Sequence, residues 1–289
     1  MLIRFPQISK NKTDNSFIIV DDIPFAKHNK IDKSDGKQIG FLTEHTLFFI
    51  MQGKKNFHFG NETITIDTNQ LILLKRGIYS ISEYIPNGGH FEALMIFVPD
   101  KFLKEFHFKT GGFQKATKQK YPFAIIPSDE LLNSFKSQYL NYFGKSFRPI
   151  EKILPLKLHE LFLLLTSSTC KSEVLNFINL CVTNHPTDIE FIVKNYLLQP
   201  LSISEFAKLS SRSVASFKRD FQRQFNTPPK QWINQQRLAY ANTLLNSTGK
   251  NVSEIAFECG FENVSHFIKI FKKEYGITPN SLRAENATI

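Results

Sequence analysis

Two stretches of this 289-residue chain carry cations beside regularly spaced aromatic residues. The cations are Lys218, Arg219 and Arg223 in the first stretch, and Lys269, Lys272 and Lys273 in the second. In a helix, aromatic residues four positions apart share one face, so the cations project from the opposite face. Exposed Arg and Lys side chains donate hydrogen bonds to phosphate oxygens and base edges, and the pattern therefore indicates contact with a nucleic acid.

Each stretch is the second part of a predicted helix, tight turn and helix. "SISEFAKLS" forms an amphipathic helix with Ser202 or Ser204 near its N-cap, and the chain breaks at Ser211 and Arg212. Ser213 has the right chemistry to cap the next helix. The predicted buried stripes are Val214, Phe217, Phe221 and Phe225 in the first copy, and Val264, Phe267, Phe271 and Tyr275 in the second.

The two copies share one register, at an offset of 50 residues. The matched pairs are Phe217 with Phe267, Arg219 with Lys269, Phe221 with Phe271, Phe225 with Tyr275, Asn226 with Gly276, and Pro229 with Pro279. Such repetition predicts two copies of one supersecondary unit. "TPPKQWINQQRLAYANTLLNST" predicts a long connecting helix that holds the copies at a fixed separation, so that both enter successive major-groove segments, about 34 Å apart. One copy alone would equally fit the solvated surface of a helical bundle; the tandem favours DNA.

The rest of the chain predicts a separate β-rich region. Runs such as "TLFFIMQG", "QLILLKRG" and "ALMIFV" have strand composition, and amphipathic helices follow at about 127–184, the first with Ser128 as N-cap. "TNHPTD" marks a boundary. The predicted fold class is α+β: a domain over 1–184, with an antiparallel β-meander or barrel at about 17–115 and then helices, and an all-α domain over 185–289.

Composition limits the class of protein. The formal net charge is +10 and hydrophobic residues make up 42% of the chain, which fits a globular protein with a polyanionic partner. Three cysteines without a paired spacing indicate a reducing compartment. No secretory signal or membrane-spanning run is recognisable, so we expect a cytoplasmic protein without membrane contact.

The C-terminal residues resemble the AraC/XylS family of bacterial transcription regulators. The closing motif reads Ile255-Ala256, Gly260-Phe261, Ser265-His266-Phe267, Phe271-Lys272-Lys273, Gly276, Thr278-Pro279 and Leu282-Arg283. The resemblance covers about 100 residues. It departs from the family pattern at Asn226, where glycine is usual, at Lys269, where arginine is frequent, and at Leu282, where an aromatic residue is frequent.

The resemblance also implies what surrounds this motif. "LLKRGIYSIS" and "IFVPDKFLKEF" are similar to the cupin-like regulatory domains of type III secretion activators. The family further implies promoter DNA and RNA polymerase as partners, a homodimer formed through the helices after the barrel, and a small-molecule or protein effector at the N-terminal domain.

Position-by-position matching to the family assigns roles to individual side chains. Base-reading positions fall on Ala215, Lys218 and Arg219 in the first unit and on Val264, His266 and Lys269 in the second. The matching does not assign phosphate contacts; from the remaining residues we expect them at Ser213, Arg223, Lys230, Asn263, Lys272 and Lys273. Lys269 offers a point charge where arginine would offer a bidentate fork.

Several other residues invite alternative interpretations. His45, His58, Glu62 and His90 are the chemical types of a cupin metal set, but the usual HxH pair is missing, and we expect neither a metal nor another cofactor. Cys259 is interpreted as a packing residue. The barrel phenylalanines fit a filled interior and an apolar ligand pocket equally well.

The sequence thus favours a DNA-binding transcription regulator, an activator under the control of the N-terminal domain, and not an enzyme. The alternative is a metal-dependent cupin enzyme fused to a DNA-tethering module.

Overall fold

The fold is taken from a computed structural model, which describes residues 2–6, 17–20, 23–30, 36–59, 62–85, 89–110, 121–143, 149–183 and 187–286. Only the backbone is described for 17–20, 23–30 and 284–286. The chain forms two compact units, Met1–Asn184 and His185–Ile289. The boundary predicted at 184–185 lies outside the described residues, as do 111–115 of the predicted barrel.

The N-terminal unit contains eleven described strands and four helices. The strands are β1 (Leu2–Phe5), β2 (Phe17–Val20), β3 (Ile23–Lys30), β4 (Gln38–Leu42), β5 (His45–Gln52), β6 (Lys54–Phe59), β7 (Glu62–Ile66), β8 (Gln70–Leu74), β9 (Gly77–Tyr84), β10 (Phe91–Val98) and β11 (Phe123–Pro127). The helices are α1 (Asp100–Lys109), α2 (Glu130–Leu140), α3 (Ile150–Ser167) and α4 (Lys171–Val182).

The described strands pair as two sheets. One has the order β1-β4-β9-β6-β7 and the other the order β11-β8-β5-β10-β3-β2. All pairs are antiparallel except β1 with β4. The predicted α+β class is confirmed, and the predicted cupin-like barrel takes the form of two sheets that share an apolar core.

The central strands of the six-stranded sheet are buried on both faces. Phe48 and Ile50 of β5 point into the core between the sheets. Leu47 and Phe49 point instead into a second core against α1 to α4. Because successive residues face opposite sides of a strand, burial of both faces explains why β5, β8 and β10 read as continuous apolar runs.

The core between the sheets is filled mainly by aromatic side chains. Phe48 and Phe57 pack edge to face with centroids 5.9 Å apart, and Phe57 is 1% exposed. A small cavity remains beside them, also lined by Phe5 and Tyr79. Aromatic rings therefore make up a large part of this core.

A buried ion pair lies in the same core and was not found from the sequence. Lys55 of β6 and Glu83 of β9 are cross-strand partners whose side chains are 2% and 4% exposed. The Lys55 Nζ atom lies 5.4 Å from the ring centroid of Phe91. A one-residue slip of either strand would turn one of these side chains to the other face of the sheet and leave its partner buried without a counter-charge, so the pair favours this register.

Two local expectations for this unit need correction. Asp129, not Ser128, caps α2, since its carboxylate accepts a hydrogen bond from the Leu132 N–H at 2.8 Å. The Ser128 hydroxyl donates to Asn133 Oδ1 instead. Helix α1 was not found from the sequence; it begins after Pro99, which is the N-cap residue but makes no side-chain cap.

The C-terminal unit contains only helices among its described residues. They are α5 (Ile189–Tyr196), α6 (Ile203–Leu209), α7 (Val214–Phe225), α8 (Pro229–Ser247), α9 (Val252–Glu258), α10 (Val264–Tyr275) and α11 (Pro279–Asn286). Pro229 and Pro279 both stand in a first turn, where a missing N–H costs nothing. Every helix within the described ranges is too short or too polar to cross a bilayer.

Candidate nucleic-acid interface

Helices α6 and α7 form the first helix-turn-helix unit. Ser202 caps α6 in a reciprocal capping box with Glu205. Between the helices, Arg212 N–H donates to Ala207 O at 2.9 Å, and Ser211 adopts φ 57°. Ser213 then caps α7 by accepting from Ser216 N–H, as predicted. These local bonds satisfy the free backbone groups at the turn, so its geometry is set by the sequence around it.

Helices α9 and α10 repeat this arrangement with one extra residue in the turn. Asn251 and Glu254 form the capping box of α9, and Asn263 caps α10 through His266 N–H. The bond from Phe261 N–H to Ala256 O, 2.9 Å, matches that of Arg212 at an offset of 49. Helices α7 and α10 keep the predicted offset of 50, because the turn between α9 and α10 has one additional residue, Glu262.

Buried aromatic pairs fix the inner side of α7 and α10. Phe217 and Phe221 in α7, and Phe267 and Phe271 in α10, are fully buried. The ends of the predicted stripes are more open than expected: Val214 is 39% exposed and Tyr275 is 38% exposed. The first turn of α7 and the last turn of α10 therefore project beyond the core, whereas Phe225 and Val264 at the opposite ends stay half-buried.

Most of the predicted base-reading side chains lie on the outer faces of these helices. Ala215, Lys218 and Arg219 are exposed on α7, and His266 and Lys269 are exposed on α10. Val264 is half-buried against the core of the second helix-turn-helix unit. Of these positions, only Arg219 and Lys269 share a register. The exposed Ser265 stands at the register of Ala215 and was not assigned a role from the sequence.

The predicted phosphate-contacting side chains are all exposed. They are Ser213, Arg223, Lys230, Asn263, Lys272 and Lys273. Ser213 and Asn263 cap α7 and α10, and Lys230 lies in the first turn of α8. Helix N-termini carry partial positive charge and free N–H groups, which favours an anion there. The positions therefore suit backbone phosphates.

A carboxylate inside the basic face of α7 was not recognised from the sequence. Asp220 contacts three arginines: Arg212 Nε at 3.2 Å, Arg223 Nη2 at 3.5 Å and Arg219 Nε at 3.7 Å. The outer side of the first unit is thus an ion cluster rather than a row of separate cations.

Arg237 of α8 joins the two helix-turn-helix units. Its guanidinium, 6% exposed, donates to Leu197 O at 2.8 Å, Gln199 O at 2.6 Å and Gly260 O at 3.0 Å. Burial lowers the pKa of Arg237 to about 10. One side chain therefore joins the loop before the first unit to the turn of the second.

Gly260 makes the close approach to this loop possible. Its φ is 80°, and a Cβ atom there would lie 2.7 Å from Leu198 O. The left-handed conformation and the missing side chain are both required at this point.

Both the N-terminal and the C-terminal unit are similar to known protein families. Residues 45–177 match the ExsA N-terminal regulatory domain, and residues 206–285 match a helix-turn-helix domain. The chain belongs to the AraC family of transcription regulators.

Relatives resemble this AraC-family chain over most of its length. The virulence regulon transcriptional activator VirF of Yersinia enterocolitica is 25% identical over 84% of this chain and 91% of its own. The regulator ExsA of Pseudomonas aeruginosa is 22% identical over 83% and 86%. Among solved structures, apo ToxT from Vibrio cholerae covers 89% of this chain and 96% of its own, with 16% identity and a TM-score of 0.46.

The four residues considered for a metal do not converge in the AraC-family chain. His45 bonds Asp100, His58 bonds Thr63 and Ser82, Glu62 accepts from Tyr121, and His90 pairs with Glu92. No group of three His, Cys, Asp or Glu side chains in the described part of the chain is placed to hold a metal ion. Each residue considered as a ligand for a metal-dependent cupin enzyme thus contacts a different set of side chains.

His45 is instead the centre of a buried cluster that joins β5 to α1 and α4. It contacts Asp100 Oδ1 at 2.9 Å, accepts from Arg76 N–H at 3.1 Å and lies 3.5 Å from Cys181 Sγ. Burial lowers the pKa of His45, partly opposed by the bond to Asp100. Burial would raise the pKa of Asp100, but the hydrogen bond from His45 and the charge of Arg76 hold it well below its usual value.

Cys259 is fully buried in the core of the second unit. Burial raises the pKa of its thiol to about 12. A nucleophilic cysteine needs an accessible thiolate, so the geometry agrees with the packing role expected from the sequence.

Proposed function

We propose that this AraC-family regulator activates transcription by binding promoter DNA through both helix-turn-helix units, with α7 and α10 each in the major groove. The observation that carries the proposal is the repeated unit itself. In both copies the second helix is capped by a side chain, anchored by a buried phenylalanine pair and basic on its outer face. A helix held in this way has the size and chemistry of a major-groove reader.

Base recognition would differ between the two readers. Arg219 offers a guanidinium fork that fits guanine O6 and N7, whereas Lys269 offers a single charge. Lys218 and His266 add donors beside them. Ala215 and Val264 present apolar surface suited to a thymine methyl, although Val264 is only half exposed.

The cations and caps around the readers would grip the backbone. Arg223, Lys230, Lys272 and Lys273 supply charge, and Ser213 and Asn263 stand at helix N-termini. Such contacts set the position of the protein on the duplex without selecting sequence, and they make affinity depend on salt.

Helix α8 would set the spacing of the two readers. It has 19 residues, about 28 Å at 1.5 Å per residue, and Arg237 fixes it to both units. Successive major-groove segments on one side of the duplex lie about 34 Å apart. The proposed binding site therefore spans about two helical turns of DNA.

Footprinting on DNA from upstream of the coding region, over a salt series and with random DNA as competitor, tests the proposal. We expect protection of about two turns on one face that survives competitor. Binding at every salt concentration without a preferred site, by both the full chain and residues 185–289 alone, would contradict sequence-specific recognition. A site that residues 185–289 bind but the full chain does not would instead show that the N-terminal unit restrains DNA binding.

The N-terminal unit would supply control. Its match to a regulatory domain supports an effector, either a small molecule or a protein, that shifts the reader between states by binding one of them more tightly. Because its target is promoter DNA, the protein would act in the cytoplasm, with RNA polymerase as its partner at the promoter.

Helix α3 is the proposed dimer contact. Leu156 and Leu163 lie seven residues apart on its outer side and are 68% and 55% exposed. A twofold axis there would bury this leucine face against its own copy. Sedimentation of the Leu163→Glu variant as a monomer at concentrations where the unchanged chain is a dimer would support the contact, and a monomeric unchanged chain would refute it.

A further inference from the structure

Asp220 stands on α7 directly after the proposed base-reading residue Arg219. Its side chain is 21% exposed, whereas those of Arg219 and Arg223 are 77% and 80% exposed. The carboxylate therefore lies closer to the helix surface than the two arginine side chains, which extend into solvent.

The carboxylate is held in place from below by Arg212. That side chain is 14% exposed, and its Nη1 atom donates to Thr187 O at 2.7 Å and to Ser210 O at 3.1 Å. Its Nε atom donates to Asp220 Oδ2 at 3.2 Å. Asp220 is thus fixed to the turn of the unit by a side chain that is itself tied to two backbone carbonyls.

Arg219 is held on α7 by two side chains of the same helix. Asp220 Oδ1 faces the Nε atom of Arg219 at 3.7 Å, and the Nη2 atom donates to Ser216 Oγ at 3.4 Å. Both contacts restrain the side chain on the outer face of α7. A fork already restrained loses less conformational entropy when it binds a base.

The second unit lacks this device at the same register. The residue fifty positions after Asp220 is Ile270, which packs against the core, and the equivalent of Arg212 in the turn is Phe261. Lys269 therefore follows the backbone geometry of Arg219 without a carboxylate at the position of Asp220.

We infer that Asp220 is a positioning residue that pre-organises Arg219 for base recognition and gives the first unit more sequence discrimination than the second. This inference rests on the proposed function. The charge of Asp220 also repels phosphates, a cost that random DNA bears in full and that a correctly placed guanine offsets through Arg219.

The test compares Asp220→Asn with Glu274→Gln by measuring affinity for the footprinted site and for random DNA at one salt concentration. Both variants remove one negative charge, and Glu274 is an exposed residue of α10 without an assigned role. We expect Asp220→Asn to lower the ratio of specific to random affinity by about three- to ten-fold, the range set by ordering one long side chain. Glu274→Gln should change both affinities by the same factor and keep the ratio.

A double-mutant cycle with Arg219→Ala separates positioning from general damage. If Asp220 acts through Arg219, Asp220→Asn leaves the ratio unchanged once Arg219 is alanine. A fall of the same size in both backgrounds, or an unchanged ratio in Asp220→Asn alone, overturns the inference. Thermal unfolding of each variant shows whether the unit is folded in the assay.

The same data distinguish failure of the proposed function. A parent protein that prefers no site would refute sequence-specific recognition itself. A ratio of specific to random affinity that Arg219→Ala leaves unchanged would remove Arg219 from the base-reading set, and the role of Asp220 would fall with it. Preference that depends on Arg219 but not on Asp220 would overturn the inference alone.

Discussion

The two helix-turn-helix units have the same backbone plan and are held by different chemistry. In the first, the turn is tied by Arg212 and Asp220, an ion pair with support from backbone carbonyls. In the second, the turn has one more residue and is held by Gly260, by Phe261 packed on Phe267, and by Arg237 from the connecting helix. Capping residues and buried phenylalanine pairs are common to both.

The difference shows which features a reading helix needs and which it can exchange. The N-cap and the phenylalanine pair set where the helix starts and which side it buries, so they are needed in each copy. The turn must only close, and either a local ion pair or a partner from a neighbouring helix can close it. The turn of the first unit is therefore closed from within that unit and the segment before it, while the turn of the second unit is also held by Arg237 of α8.

The largest expected effect comes from Arg237→Met. The change removes three hydrogen bonds, one of them to the buried Gly260 carbonyl, so we expect the C-terminal unit to lose about 3 kcal/mol in free energy of unfolding. Arg212→Met, at a more exposed position, should cost about 1 to 2 kcal/mol. Denaturant unfolding of residues 185–289 measures both. Equal losses would show that the unit depends on Arg212 as much as it depends on Arg237.

A smaller effect is expected from alanine at the two left-handed turn positions. Gly260→Ala places a Cβ atom against Leu198 O and should cost about 2 kcal/mol. Ser211 already holds a side chain at φ 57°, so Ser211→Ala should change the free energy of unfolding by less than about 0.5 kcal/mol. The melting temperatures of the two variants provide the check, and a large loss at Ser211 would mean that its side chain also supports the turn.

Effects on DNA binding are measured separately from stability, and there Arg219→Ala and Lys269→Ala sharpen the comparison. Each should cost about 1 to 3 kcal/mol at the specific site, with Arg219 at the upper end because it offers a fork. Lys272→Ala should weaken specific and random DNA alike and reduce the salt slope by about 1. Titrations on both DNAs measure this. A Lys269 variant that loses more discrimination than the Arg219 variant would reverse the ranking.

Local patterns allowed much of the C-terminal unit to be predicted from the sequence. The four-residue spacing of Phe217 and Phe221 identified the buried face, and Ser213 was the correct cap. Asn226 adopts the left-handed conformation expected for the position after α7, with φ 52°. Each of these features depends on residues within one or two turns of each other.

Features that join distant residues were missed. Arg237 lies 40 positions from Leu197 and 23 from Gly260, and Lys55 lies 28 from Glu83. No local pattern marks such pairs, because a buried and an exposed arginine have the same appearance in a sequence. Asp220 was missed for a related reason: on a helical wheel a single acid among cations looks like one more solvated charge.

The six-stranded sheet of the N-terminal unit acts as a shared wall between two packed compartments. Met95 belongs to one of them, and its neighbours Leu94 and Ile96 belong to the other. Close-packed interiors have little free volume to absorb displacement. A strand pushed from the aromatic side must therefore displace the helices on the far side, including the leucine helix α3. The six-stranded sheet would thus transmit a displacement in one core to the residues of the other.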